Sequence, residues 1–282
     1  MAPEAIPQED PRFAGVSRVL GRSATSALAG AHVAVVGLGG VGSWAVEALA
    51  RTGVGRLSLV DLDDVCVSNT NRQVHALAGQ FGRPKADVLA ERVRKIHPGC
   101  DVQAHLRWCN QQSVAELLAG TDAVIDAIDR LRDKCHLLEH CRLHRLNVVT
   151  IGGAGGKRHA TAARVTDLAQ TRHDGLLQKC RKRLRQKHGF PRRGLFGIPA
   201  VYSEERPSYP GSDGEPCLHR EADRPAAARL DCEGGFGALM HVTATFAMLA
   251  VEVCVAQLLT PTAQGSVGIG SAASEVPFDG PS

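Results

Sequence analysis

Apolar positions in the first 150 residues follow two periods. His32 to Val36 is a short valine-rich run, and Leu57 to Val60, Asp122 to Ile128 and Asn147 to Ile151 repeat that character, so each predicts a strand. Between them, Val41 to Thr52, Lys85 to Ile96 and Leu131 to His144 space their apolar side chains three and four apart, which predicts helices, the first of them stopped by Gly53. Strands alternating with helices predict an α/β fold, a mainly parallel sheet with flanking helices that binds its ligand at the carboxyl ends of the strands. No internal repeat interrupts this pattern.

The pattern changes near Thr171. A basic run comes first, and then a stretch rich in Pro, Ser and Gly between Pro191 and Pro225 that reads as an ordered excursion or mobile flap outside the core. Phe236 to Leu259 is apolar and near bilayer-spanning length, but His241, Thr243, Thr245 and Glu252 interrupt it, so it reads as a buried helix returning to the first domain rather than a membrane insertion. The expected organisation is a flexible leader over residues 1–10, a nucleotide-binding domain over 11–170, a basic segment with flap and returning helix over 171–260, and a disordered tail over 261–282.

Composition narrows the class only slightly. With 282 residues, 44% of them hydrophobic, the chain can bury a sizeable core. Lys and Arg number 33 against 29 Asp and Glu, too mild a balance to prove a polyanionic partner, so the distribution of charge matters more than its total. Nine cysteines without a C-x-x-C pair argue for a reducing compartment, with the cytoplasm as default, and against a zinc ribbon.

The candidate chemistry begins at Gly37-Leu38-Gly39-Gly40-Val41-Gly42, a turn between strand and helix. Glycines there let the backbone approach phosphates, and the helix N-terminus favours their negative charge. Asp61 stands at the spacing of a carboxylate that bonds ribose hydroxyls. These features alone fit a nicotinamide dehydrogenase equally well. What discriminates is the polar, cationic insertion that follows: Asp61-Leu62-Asp63-Asp64-Val65, then Asn69-Thr70-Asn71-Arg72-Gln73, then Gly82-Arg83-Pro84-Lys85. Displacing pyrophosphate from ATP needs such cations, because charge develops on the transferring and leaving phosphates, and Arg72 and Lys85 can offset it. Asp129, after the strand ending Ile125-Asp126-Ala127-Ile128, is placed to hold Mg²⁺, with Asp126 as the competing carboxylate. Each residue also has a plainer reading: Arg72 as a surface cation, Lys85 as an exposed helix residue, Asp129 as an N-cap.

From Val33 to Asp129 the chain resembles the ubiquitin-activating-enzyme-like adenylyltransferases, which include the ThiF and MoeB proteins. The resemblance implies a Rossmann-like fold that activates a carboxylate as its acyl-adenylate. It makes Gly37, Gly39, Gly40 and Gly42 the phosphate turn and Asp61 the ribose ligand, with Asp63 in the same nucleotide set. Asn69, Arg72 and Lys85 become ATP-phosphate contacts and Asp129 the Mg²⁺ ligand. Many members also carry an N-terminal arginine that reaches the partner subunit's site. Gly15 stands where the usual Arg-Tyr-x-Arg would place it, so either Arg12 or Arg18 substitutes or the finger is absent.

A closer resemblance covers nearly the whole chain. Leu38-Gly39-Gly40-Val41-Gly42-Ser43-Trp44, Asp63 to Val67, Asn69 to Leu77, Gly152-Gly153-Ala154-Gly155-Gly156, Asp231-Cys232 and Gly234-Gly235-Phe236-Gly237 look like the bacterial tRNA threonylcarbamoyladenosine dehydratases. It implies a homodimer that uses ATP to cyclise the threonyl side chain of an adenosine beside the tRNA anticodon, with a monovalent cation and a cysteine desulfurase system protein as further expectations. Lys157-Arg158-His159-Ala160 departs from the acidic and proline residues usual there, so that loop is expected to have its own local geometry. Cys232 reads as a substrate-contacting residue or a buried thiol, because a substrate carrying both reacting groups needs no enzyme nucleophile. An independent clue is the run Arg172, Lys179, Arg181, Lys182, Arg183, Arg185, Lys187, Arg192 and Arg193, which faces a single acid, Asp174, and suits a phosphate backbone. The competing functions are adenylation of the C-terminal glycine of a ubiquitin-like sulfur carrier and a nucleotide-binding interaction module without turnover.

Overall fold

The computed structural model describes residues 10–211, 213–217 and 237–260. Two short helices, α1 (Ala14–Leu20) and α2 (Arg22–Gly30), precede the first βαβ unit, which is formed by β1 (His32–Val36), α3 (Gly42–Thr52) and β2 (Arg56–Val60). The chain continues through α4 (Lys85–Ile96), β3 (Asp101–His105), α5 (Val114–Leu117), β4 (Ala123–Asp126), α6 (Leu131–Leu143) and β5 (Asn147–Ile151). It then adds β6 (Ala163–Asp167), α7 (Gly175–Lys187), β7 (Pro199–Ser203), a two-residue hairpin of β8 (Tyr209–Pro210) and β9 (Pro216–Cys217), and the long helix α8 (Met240–Leu259).

Seven strands form one sheet in the order β3-β2-β1-β4-β5-β7-β6, with β6 antiparallel to β7 and every other neighbour parallel. The strand order reverses between β1 and β4. Loops from these two strands leave in opposite directions, which opens a crevice beyond their carboxyl ends. One face of the sheet is covered by α3, α4 and α8, with Leu49, Leu89 and Phe246 fully buried on it. The other face is covered by α6 and α7, through Leu138, Cys141, Leu177 and Leu184.

Two expectations about the second half meet the structure differently. The excursion assigned outside the core contains β7, whose Ala200 and Val201 are fully buried between β5 and β6. Pro199 at its first position and the turn-forming residues around it hid it, since proline marks loops and chain breaks more often than strands. The returning helix behaves as expected: α8 lays Val242, Phe246, Ala247, Ala250 and Cys254 onto α3 and the sheet. It is the one described helix long and apolar enough to cross a bilayer, with mean hydropathy 1.9, but these residues are spent on the core. Cys100, Cys109, Cys135, Cys141, Cys180 and Cys254 are buried free thiols, and Cys135 and Cys180 bring their sulfurs to 3.6 Å across the α6–α7 contact.

Candidate active site

The glycine turn is built by close approach. Gly37 ends β1 with a φ of 90°, and a Cβ there would lie 2.8 Å from the Ala127 carbonyl oxygen at the end of β4. A Cβ on Gly42 would fall 1.8 Å from the Gly37 carbonyl oxygen, so the first turn of α3 folds back on the strand end as only glycine allows. Gly39 faces open space. Gly40 instead supports the insertion: Arg72 Cγ and Cδ and Thr243 Cγ2 would lie 3.2–3.3 Å from a Cβ at that position. The turn therefore presents the N-terminus of an eleven-residue helix, with Arg72 beside it.

Arg72 is held from several sides. Trp44 Nε1 on α3 donates to its carbonyl oxygen at 3.0 Å, and its own Nη1 donates to the Ser68 carbonyl and to Asn71 Oδ1, each at 2.9 Å. Asn71 in turn donates to the Ala238 carbonyl at 2.8 Å, which ties the insertion to the approach of α8. Asn69 is buried, and its Oδ1 accepts from the Cys66 N–H at 3.1 Å, closing the 3-10 turn Val67–Asn69 that delivers Arg72.

The carboxylates divide their work. Asp61 is buried, with Oδ2 accepting from the Leu38 N–H at 2.6 Å and Oδ1 from the Asp63 N–H at 2.8 Å, so it fastens the end of β2 to the glycine turn. Burial pushes its pKa upward, against the opposing pull of Lys85. Asp63 keeps about half of its side chain in solvent and accepts from Lys85 Nζ at 2.9 Å. Lys85 itself is only 6% exposed, so the reading of an exposed helix residue does not apply.

At the end of β4 the two competing acids separate. Asp126 is fully buried and forms an ion pair with the equally buried Lys134 at 2.8 Å, while Thr150 Oγ1 donates to it at 2.6 Å. Its Oδ1 also accepts from the Ile128 N–H at 3.1 Å, which ends the strand two residues before the expected boundary. Asp126 thus has no face for a ligand. Asp129 is exposed just beyond, and it does not cap α6, whose N-cap position is Arg130. Sequence reasoning missed Lys134, although its spacing was visible: it shares a helix face with Leu138 and Cys141, four and seven residues on.

His75, inside the cationic insertion, is 1% exposed, with both ring nitrogens buried and without a hydrogen-bond partner. Desolvation, helped by Lys85 and Arg92, pulls its pKa down from 6.5 to about 3. A folded-state pKa below the unfolded value means that the associated stability is complete above pH 6.5 and is lost as pH falls toward 3. We expect His75 to cost the wild type about 2 kcal/mol between pH 7 and pH 5, and urea titrations of His75→Gln to show a correspondingly flatter pH dependence over that interval.

The other expected residues lie away from the crevice. Arg12 pairs with Asp10 at 2.9 Å, and the neighbouring Phe13 packs against Gly53 and His97, which precede β2 and β3 at the opposite end of the sheet. Arg18 is exposed on α1. In the basic run, Asp174 caps α7 by accepting from the Leu177 N–H, and its second oxygen accepts from the Gly153 N–H, both at 2.8 Å, so it anchors the second glycine cluster. Arg181 donates to Thr171 Oγ1, and Arg185 lies over the Phe196 ring at 5.0 Å. Arg183 is half-buried, whereas Lys179, Lys182, Lys187, Arg172, Arg192 and Arg193 are exposed. The divergent loop is pinned by Glu205, whose carboxylate accepts from the Arg158 and His159 N–H groups at 2.9 Å and whose carbonyl accepts from Lys157. Cys232 and most of its motif lie outside the described residues.

A glycine turn, a half-buried arginine, a lysine–carboxylate pair and an exposed aspartate around one crevice suit phosphate chemistry on a nucleotide. A model of the ThiF family matches residues 13–265. The chain belongs to the ThiF family. Within it, the chain is 45% identical over 256 residues to the tRNA threonylcarbamoyladenosine dehydratase of Escherichia coli strain K12, covering 90% of this chain and 95% of the relative. Its identity to the protein of the same name from Haemophilus influenzae is 40% over 258 residues, with the same coverage. The crystal structure of the E. coli dehydratase TcdA in complex with ATP superposes with a TM-score of 0.77 at 43% identity, covering 88% of this chain and 93% of that one.

Proposed function

We propose that the protein is an ATP-dependent tRNA threonylcarbamoyladenosine dehydratase, closing the threonylcarbamoyl side chain of the modified adenosine into a ring through an acyl-adenylate. The reading is carried by one observation: identity to the E. coli and H. influenzae dehydratases runs through nearly the full length of each, so the adenylation crevice comes with the same substrate-side architecture.

The substrate carboxylate attacks the α-phosphate of ATP, and pyrophosphate leaves. Gly37, Gly39, Gly40 and Gly42 let the triphosphate approach the N-terminus of α3, and Arg72 and Lys85 offset the charge that grows on the α-phosphate and leaving group. Asp61 shapes the turn by accepting one backbone N–H bond on each oxygen, and because each oxygen keeps a further lone pair we assign it the ribose hydroxyls as well, with the half-exposed Asp63 in the same nucleotide set. Asn69 positions the Arg72 loop. Mg²⁺ fits the donor set, since a single exposed carboxylate with phosphate oxygens is its ordinary environment, and Asp129 would hold it; the ion supplies charge neutralisation between phosphates. In the second step the carbamoyl group of the same substrate attacks the activated carbonyl and AMP leaves. Both groups belong to one molecule, so proximity drives closure without an enzyme nucleophile, and Cys232 is assigned a substrate-contacting role.

The homodimer belongs to this proposal. Arg12 sits at the far end of the sheet from its own crevice, where it serves a site only across a subunit boundary. The cytoplasm, where tRNA is modified, is the corresponding location. For tRNA, the exposed cations of α7 are the better grip, because Arg181 and Arg185 are already engaged within the protein. We expect Lys179→Glu/Lys182→Glu/Lys187→Glu to raise the tRNA Michaelis constant and to reduce the slope of log affinity against log salt by roughly two, while ATP binding is unchanged. An unaltered slope places the tRNA elsewhere.

Pyrophosphate release tests the function. Stimulation by tRNA bearing threonylcarbamoyladenosine supports it; stimulation by a ubiquitin-like sulfur carrier instead, or by neither, replaces it with the carrier-activating or the non-catalytic reading.

A further inference from the structure

Outside the crevice, one cluster of side chains among the described residues has the chemistry of a metal site. His136 and Glu139 stand one helical turn apart on α6, and His188 follows the last residue of α7, so the cluster bridges two helices that are distant in sequence. One ligand atom from each lies within 4.8 Å of the other two. His188 Nδ1 is 2.9 Å and His136 Nδ1 3.7 Å from Glu139 Oε2. Both ring nitrogens of His136 and Nε2 of His188 are buried without a hydrogen-bond partner, an arrangement that leaves polar atoms unsatisfied unless something else binds them.

From this geometry we infer that His136, Glu139 and His188 form a binding site for a zinc-class divalent ion that staples the end of the basic helix α7 to α6. Tetrahedral coordination at 2.0–2.1 Å separates donors by about 3.3 Å, which small side-chain rotations from the present spacing achieve. Two imidazoles and a carboxylate favour a d-block ion over Mg²⁺ or Ca²⁺, which prefer all-oxygen surroundings. The cations Arg132 and Arg183 act on His136 as well and disfavour an ion bound by charge alone. Burial, with His188 alongside, lowers the His136 pKa and keeps its imidazole in the neutral form that ligates metal. Glu139 is 33% exposed and gives the ion a route from solvent and a place for a water as fourth ligand.

The site does not depend on the adenylation reading, and its test does not use turnover. The full-length protein, stripped with chelator, is titrated with Co²⁺ and followed by visible absorption, with Zn²⁺ as competitor and thermal melting in parallel. One tetrahedral-type band per chain is expected, displaced by Zn²⁺, with a higher melting midpoint in the metal-bound protein. His136→Asn and His188→Asn should each weaken binding by more than the roughly 10–100-fold that losing an outer-shell partner costs, with Glu139→Gln as a milder variant whose unchanged circular dichroism controls for folding. His140→Ala/His144→Ala, which removes the neighbouring stacked histidine pair, should leave the band intact. Absence of a band, or a band that persists in all three ligand variants, overturns the site and assigns any bound cobalt to cysteines or surface histidines.

Discussion

Replacing Arg72 or Lys85 with Ala should lower the rate of adenylation by roughly two to three orders of magnitude, as loss of a charge contact made chiefly in the transition state does. The two cations reach this position differently. Arg72 is braced by Trp44 and lies over Gly40, so its stem is fixed before substrate arrives. Lys85 is nearly buried and paired with Asp63, and its removal also takes away the positive charge that opposes the upward shift of the Asp61 pKa. The loss should therefore fall on kcat for both, with Lys85→Ala also weakening ATP binding. Arg72→Lys should recover only part of the activity, because an ammonium lacks the planar fork that holds Ser68 and Asn71 through one nitrogen and keeps further N–H groups for phosphate. Rapid-quench measurement of pyrophosphate formation separates these effects, and near-wild-type rates in both alanine variants would remove the catalytic assignment.

The second large effect concerns stability. Lys134→Met should destabilise the protein by about 3–5 kcal/mol, because it strands the fully buried Asp126 carboxylate without its counter-ion. For a chain of this size that corresponds to a fall in melting midpoint of roughly 6–20 °C. Lys134 Nζ also donates to the Ile128 carbonyl at 3.0 Å, so the loop carrying Asp129 should loosen and the ATP Michaelis constant should rise. The double variant Asp126→Asn/Lys134→Met, in which no charge is left unpaired, should regain part of the stability. A midpoint unchanged in Lys134→Met would contradict the buried pair.

These two residues mark how far the sequence could be read. Strands β1 and β5 and helix α4 have the boundaries expected from their periodicity, and the glycine turn was legible because a strand, a glycine cluster and a helix stand in immediate succession. In the insertion, the plainer reading of Lys85 as an exposed helix residue fell only to its burial against Asp63, which the sequence does not show. What stayed hidden was decided by tertiary pairing. That Asp61 also fastens β2 to the glycine turn depends on which backbone N–H groups meet its carboxylate, and Asp126 could be set aside only once Lys134 was seen against it. The basic run shows the same limit: α7 turns Leu177, Cys180 and Leu184 inward and draws Arg181 and Arg185 into contacts of their own, so the surface charge is narrower than the sequence run. Strand β7 could not be told from loop because Pro199 opens it within a stretch rich in turn-forming residues.

The central claim is ring closure on tRNA at the expense of ATP, and nucleoside mass spectrometry tests it most directly. Substrate tRNA carrying threonylcarbamoyladenosine is incubated with the enzyme, ATP and Mg²⁺ and then digested under conditions that preserve the cyclic product. Conversion to a nucleoside lighter by one water is expected, dependent on ATP and strongly reduced in Arg72→Ala. An unchanged nucleoside, in the presence of protein shown to bind ATP, would contradict it.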